Sequence, residues 1–214
     1  MNKNRPVLVV NLILVIIEII ALIHDICAFG SKLFEWYTID SNVLQLVISG
    51  LIIYYLLKKT VIPDYVTILH FISAVGLTVT FLIAAFVLAP EGGIRYYFIE
   101  NVAPINHLIA PALSVVSLLF LEKTKKSNWT IILYPAAVTL FYGLICLILN
   151  AMSILDGPYY FLRVGKQPVA TIVMWFVIIG ILCMGLSVMY YKIKWKDAFI
   201  IGRFVDIISV HVYN

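Results

Sequence analysis

A hydroxyl and an imidazole held at one depth are the minimum apparatus for nucleophilic acyl transfer. Thr38 supplies the hydroxyl, in the stretch EWYTIDSNVLQLVISGL that begins at Glu35. His107 supplies the imidazole, in NVAPINHLIAPALS, which begins at Asn101. A threonine hydroxyl is a weak nucleophile at neutral pH and needs a base within hydrogen-bond reach. Histidine suits that role because its ordinary pKa lies near 6.5. The tetrahedral intermediate then needs donors for its oxyanion, and Asn42, Asn106, Asn150 or the first N–H groups of a helix are candidates. Asp25 or Asp40 is a candidate to orient the imidazole.

Whether these groups can meet depends on the elements that carry them. The chain has 214 residues, 63% hydrophobic and 12% charged, with a mean hydropathy of +1.05. A soluble domain of this size needs far more polar surface. Six apolar runs are long enough to cross a bilayer: Val7 to Ala28, Ile39 to Leu57, Val66 to Ala89, Val102 to Leu121, Ile131 to Met152, and Val169 to Tyr191. The sequence therefore predicts an all-α integral membrane protein, a six-helix bundle in one domain over residues 1–196. The tail 197–214 reads as a short interfacial, amphipathic or flexible segment. The first run is about twice the length of a signal-peptide core and lacks an A-x-A site, so it reads as a retained helix. Cys27, Cys146 and Cys183 are far apart and read as small buried hydrophobes, with neither a disulfide framework nor a metal site. No cofactor is expected.

Charge sets the orientation. With the N-terminus in the cytoplasm and six crossings, 11 of the 15 Lys and Arg residues fall on the cytoplasmic side. Only Lys32, Arg95, Arg163 and Lys166 fall outside. The positive-inside rule puts both termini in the cytoplasm and the protein in the cell membrane. Such a charge pattern serves topology and anionic headgroups; a nucleic-acid partner would need a basic face on a folded domain. The pairs Trp36-Tyr37, Tyr54-Tyr55, Tyr96-Tyr97, Tyr159-Tyr160 and Tyr190-Tyr191 fall at helix ends and read as interfacial belts.

Polar side chains within a span are costly and face the bundle interior. In the second run Thr38, Asn42, Gln45 and Ser49 recur at i, i+4, i+7 and i+11, one narrow stripe. It descends ~16 Å from the outer interface. Thr38 and Asp40 have a plainer role open to them as helix caps, and Gln45 and Ser49 as inter-helix hydrogen-bonding groups. In the first run Asn11, Glu18 and Asp25 share a face at heptad spacing, with Glu18 near mid-membrane. In the fourth, Asn106 adjoins His107, and Pro111 and Ser114 follow on its face, the proline inviting a kink. In the fifth, Tyr142, Cys146 and Asn150 run along the outer half. Glu18, Asp25, Asn42, Gln45, Ser49, Asn106, Ser114, Tyr142 and Asn150 are thus the expected lining of an outward-opening pocket. An amphiphilic lipid fits it, with its tail among apolar side chains and its head on the stripe. His70 and His211 lie toward the other side and read as structural or incidental.

Three stretches carry a family likeness: FEWYTIDSNVLQ entering the second helix, NVAPINHLIAP entering the fourth, and YPAAVTLFYGLI with GPYYFL around the fifth. Over roughly Glu35 through Leu162 the chain resembles the androgen-induced proteins, a family that includes the androgen-dependent TFPI-regulating protein, and their six-helix bacterial relatives. The resemblance implies an intramembrane threonine hydrolase that cleaves fatty acid esters of hydroxy fatty acids. It implies a catalytic pair at Thr38 and His107. In the loop after the threonine this chain has IDSN, where it departs from the vertebrate pattern.

The leading expectation is a multi-pass membrane hydrolase acting on a lipid ester, with the bilayer and the lipid as its partners. A lipid-binding or transport protein using the same pocket without chemistry is the alternative, favoured by Ser49 and Glu18 reaching deeper than an esterase needs. A membrane acyltransferase, with a lipid hydroxyl replacing water, is a third.

Overall fold

The computed structural model describes residues 4–156 and 159–195, and all regular structure among them is helical. The tail expected at 197–214 lies outside the described residues. Seven helices follow in order: α1 Arg5–Phe29, α2 Tyr37–Leu57, α3 Asp64–Gly92, α4 Ile94–Phe98, α5 Ile105–Leu121, α6 Leu133–Ala151 and α7 Val169–Trp195.

Five of them (α1, α2, α3, α6 and α7) are long and apolar enough to cross a membrane. The fourth expected span is shorter than its apolar run. α5 starts at Ile105, after Pro104, and its 17 residues reach about 26 Å at 1.5 Å each. Two π-helical stretches, Ile105–Ile109 and Ser117–Leu121, flank its regular turns. Pro111 explains the first of these. Its ring cannot sit against the carbonyl of the residue four back, which is His107, in a normal α-turn. The wider π-turn absorbs the conflict, where the sequence alone suggested a kink.

The burial pattern reverses that of a soluble bundle. On α1 the inward face is Val7, Asn11, Leu14, Glu18, Ala21 and Asp25, the 3.5-residue repeat of a packed seam. Its outward face is exposed Ile, Leu and Val, including Ile16 at 57% and Ile23 at 58%. Those side chains suit hydrocarbon, and the polar ones do not. Cys27, expected to be buried, is on the exposed side of α1, while Cys146 and Cys183 are buried. α2 packs on α1 and α3, and α6 pairs with α7. α3 is the central helix, touching α2, α5, α6 and α7, and nearly every residue from Val66 to Thr80 on its packed sides is buried.

Small residues set the spacing where aromatic rings must fit. A Cβ on Gly76 of α3 would come 2.8 Å from the Tyr37 hydroxyl. Tyr37 occupies that space and shares a 2.7 Å hydrogen bond with Thr139 of α6. The ring expected in an interfacial belt therefore locks α2 to α6. Tyr190 likewise reaches inward, sharing a 2.7 Å bond with Thr78.

Candidate active site at the Thr38 end of the bundle

α2 opens at Tyr37, so Thr38 sits in its first turn and not at its cap. Trp36 holds the capping position and no side chain caps the helix. The capping role open to Thr38 and Asp40 is thus not taken up. The N–H groups of Tyr37 and Thr38 begin the helix and have no intrahelical acceptor.

Thr38 stands between two cavities. On one side is a hollow of about 300 Å³ lined by Thr38, His107, Asp25, Asn106, Tyr97 and Tyr159, among others. On the other is a smaller, mainly apolar hollow of about 60 Å³, toward Tyr142, Phe161 and Phe176. Thr38 and His107 therefore face a common space, although the two side chains are not hydrogen-bonded to one another. His107 is wedged between the rings of Tyr97 and Phe98, with centroids 5.8 and 6.0 Å away. Its buried Nδ1 has no hydrogen-bond partner.

Tyr159 is the residue that sequence reasoning missed. The expectation placed it in an aromatic belt. The loop after α6 instead folds back over the bundle and buries it, 8% exposed, against Trp36 and Phe161. Its phenol is within hydrogen-bonding reach of Thr38. Burial pushes that phenol up to about 12, so it keeps its proton at neutral pH and remains a donor. The Tyr-Tyr spacing gave no hint of this, because loop closure is a tertiary event.

The amides expected to serve an oxyanion are engaged elsewhere. Asn42 Nδ2 donates to the Thr38 carbonyl at 2.7 Å and the Asn106 carbonyl at 3.2 Å. Asn106 Nδ2 donates to Asp25 Oδ2 at 2.9 Å. Asn150 pins the loop, donating to the Leu155 carbonyl at 2.7 Å and accepting from the Val164 N–H at 2.6 Å. The donors left near Thr38 are the Tyr159 phenol and the Tyr37 N–H, since the Thr38 N–H is directed at the Tyr159 oxygen. Asp25 shares the His107 cavity and lies 3.2 Å from His24 Nδ1. Asp40 does not line that cavity. Tyr142 donates to the Glu35 carbonyl at 2.7 Å and lines the smaller hollow. Glu18 is buried behind Asp25, in a separate small hollow with Asn42 and Asn106.

The lower stripe of α2 belongs to a different cluster. Gln45 is fully buried, and its Oε1 accepts from Ser73 at 2.8 Å and Ser114 at 2.7 Å. Its Nε2 donates to Ser49 at 3.0 Å. His70, expected to be structural or incidental, is a structural hub: its Nε2 lies 3.3 Å from Ser114 and 3.4 Å from Gln45. Its Nδ1 lies 2.9 Å from Glu122 Oε1, both side chains being wholly buried. The two atoms are within ion-pair distance, with no hydrogen bond aligned between them. Ser117 donates to Glu122 at 2.7 Å and Asn11 donates to Ser117 at 2.9 Å. Gln45, Ser49 and Ser114 thus serve the opposite half of the bundle, not the Thr38 cavity.

Among the described residues no cluster of three or more His, Cys, Asp or Glu side chains has the arrangement of a metal site. Comparison with protein-family models, with curated proteins and with solved structures finds no match to this chain.

Proposed function

We propose that this chain is a multi-pass membrane hydrolase that cleaves an ester bond of a lipid, with Thr38 as nucleophile and His107 as base. The observation that carries the reading is the single 300 Å³ cavity onto which both residues open. The substrate class is a fatty acid ester of a hydroxy fatty acid or a close analogue, in line with the family likeness of the Thr38 and His107 stretches. Its acyl chain has an apolar slot beside Thr38, in the hollow toward Phe161 and Phe176.

The chemistry follows from the groups present. Thr38 Oγ attacks the ester carbonyl carbon as His107 takes its proton. The oxyanion is met by the Tyr159 phenol and the first N–H of α2, that of Tyr37. The C–O bond breaks and the leaving alcohol receives the proton from His107. Water, deprotonated by His107, then releases the acid and restores Thr38. The pair is not in hydrogen-bond contact, so substrate binding must close the gap, as happens at sites that tighten only in the substrate complex. We place the protein in the cell membrane with six crossings, α5 being the short one, and with both termini cytoplasmic. The Lys and Arg distribution supports that orientation. The Thr38 cavity then lies in the extracytoplasmic half.

The test is hydrolysis of a synthetic ester of a hydroxy fatty acid by the purified protein in detergent. Thr38→Ala should lower the rate by at least ~10³-fold and His107→Ala by ~10²–10⁴-fold. Product analysis with an added lipid alcohol separates hydrolysis from acyl transfer. A second reading, lipid binding or transport without chemistry, is favoured by the buried polar chain from Asn42 down to Glu122. Ligand retention or flux that survives Thr38→Ala but is lost in Glu18→Gln would select it.

A further inference from the structure

We propose that Glu18, Asp25, Asn42 and Asn106 form a binding site for one dehydrated sodium ion, beneath the floor of the Thr38 cavity. The four residues line a small hollow whose other walls are aliphatic. Its free volume is about 10 Å³, room for one water-sized sphere.

The argument rests on which atoms have partners. Asn42 Nδ2 donates to two carbonyl oxygens, those of Thr38 and Asn106. That fixes which end of the amide is nitrogen. Its Oδ1 is buried and receives no donor. Asn106 Nδ2 donates to the Asp25 carboxylate, which fixes that amide too, and its Oδ1 is likewise without a donor. Glu18 is 2% exposed, and its Oε1 has no donor. Three buried acceptors on residues of one hollow therefore lack donors, with the Asp25 carboxylate beside them. Neither a lysine nor an arginine lines the hollow. Buried polar groups are paired in native structures, and an intramembrane carboxyl is held by a proton or by a counter-charge; a proton on Glu18 would leave the two amide oxygens to share it, whereas a cation reaches all of them.

A cation meets this set better than a water. One water has two hydrogens to give, whereas a cation satisfies every oxygen around it. The oxygen-only donor set selects a hard ion. Calcium takes six to eight oxygens and magnesium keeps several waters, and neither fits a single-sphere hollow with four side chains. A monovalent ion is left, and strong-field carboxylate oxygens favour the smaller sodium ion over potassium. Asp25 and Asn106 line both this hollow and the Thr38 cavity, so the ion would stiffen the wall shared by the two.

The experiment uses the full chain purified in detergent in choline chloride. Melting temperature is followed as sodium, potassium or more choline is added at constant ionic strength, and ²²Na⁺ retention is measured by scintillation proximity. Sodium should raise the melting temperature saturably, with about one ion retained per chain and little response to potassium. Glu18→Gln and Asn42→Ala, each checked for a cooperative melt in choline, should weaken sodium binding at least ~10-fold. Identical melting in all three salts with no retained ²²Na⁺ would overturn the site. So would an undiminished sodium response in both variants. Neither readout depends on hydrolysis.

Discussion

The buried His70–Glu122 contact offers a quantitative test of how the lower half of the bundle is held. Both side chains are wholly buried, 2.9 Å apart, and Glu122 also accepts a 2.7 Å bond from Ser117. Lys194 points its ammonium at the backbone carbonyls of Leu118 and Glu122, so it reinforces the same corner. Replacing His70 by Leu strands the carboxylate, which costs about 3–5 kcal/mol when a buried pair is broken from one side. Glu122→Leu should cost about as much, since it removes the acceptor of Ser117 and the partner of His70 together. If the residues acted independently, the double variant would lose about 6–10 kcal/mol, more than most domains possess. The double variant strands neither member of the pair, only depriving Ser117 and Lys194 of the carboxylate, and should lose less than the sum of the singles by about 3 kcal/mol or more. The assay is detergent- or heat-induced unfolding of the two single variants and the double variant. Losses that add within about 0.5 kcal/mol would refute the pairing. Acid gives an independent check. Burial by itself raises the Glu122 carboxyl, but His70, Lys194 and Ser117 outweigh it and hold the group below the usual carboxylate value. The folded state then binds fewer protons than the unfolded one. The stabilisation is complete above the unfolded value of about 4.3 and is lost as pH falls through the lower folded value. His70→Leu should flatten that slope.

Tyr159→Phe keeps the ring packing and removes the one hydroxyl, so kcat for ester hydrolysis should drop ~10²-fold with KM little changed. An unchanged kcat would remove Tyr159 from the site. Gly76→Ala puts a methyl group 2.8 Å from the Tyr37 hydroxyl, which must leave Thr139. A loss of about 1–3 kcal/mol in unfolding experiments is expected, and Tyr37→Phe in the same background should recover part of it.

Periodicity made the helices and their inward faces legible. Asn11, Glu18 and Asp25 at heptad spacing are all buried, as are Asn42, Gln45 and Ser49 of the second stripe. What spacing could not supply is which helix stands opposite. The α2 stripe is long enough to face two different neighbourhoods, so its upper part meets α5 at Asn106 and its lower part meets α3 at Ser73 and His70. His70 starts α3 from the wrong side to reach Thr38, and no spacing pairs it with Glu122, which follows α5 and lies 52 residues away in sequence. Tyr159 was illegible for another reason: its burial depends on a loop folding over the bundle, pinned by Asn150, and no local pattern encodes that. α5 begins later than its apolar run because Pro104 stands at its N-cap, a boundary that hydropathy does not register.

The central claim is that the Thr38 hydroxyl is a nucleophile served by His107. The most direct measurement is labelling of the purified protein with a fluorophosphonate probe, followed by mass-spectrometric mapping of the adduct. The account predicts one adduct on Thr38, absent in Thr38→Ala and strongly slowed in His107→Ala. Equal labelling of wild type and Thr38→Ala would contradict it.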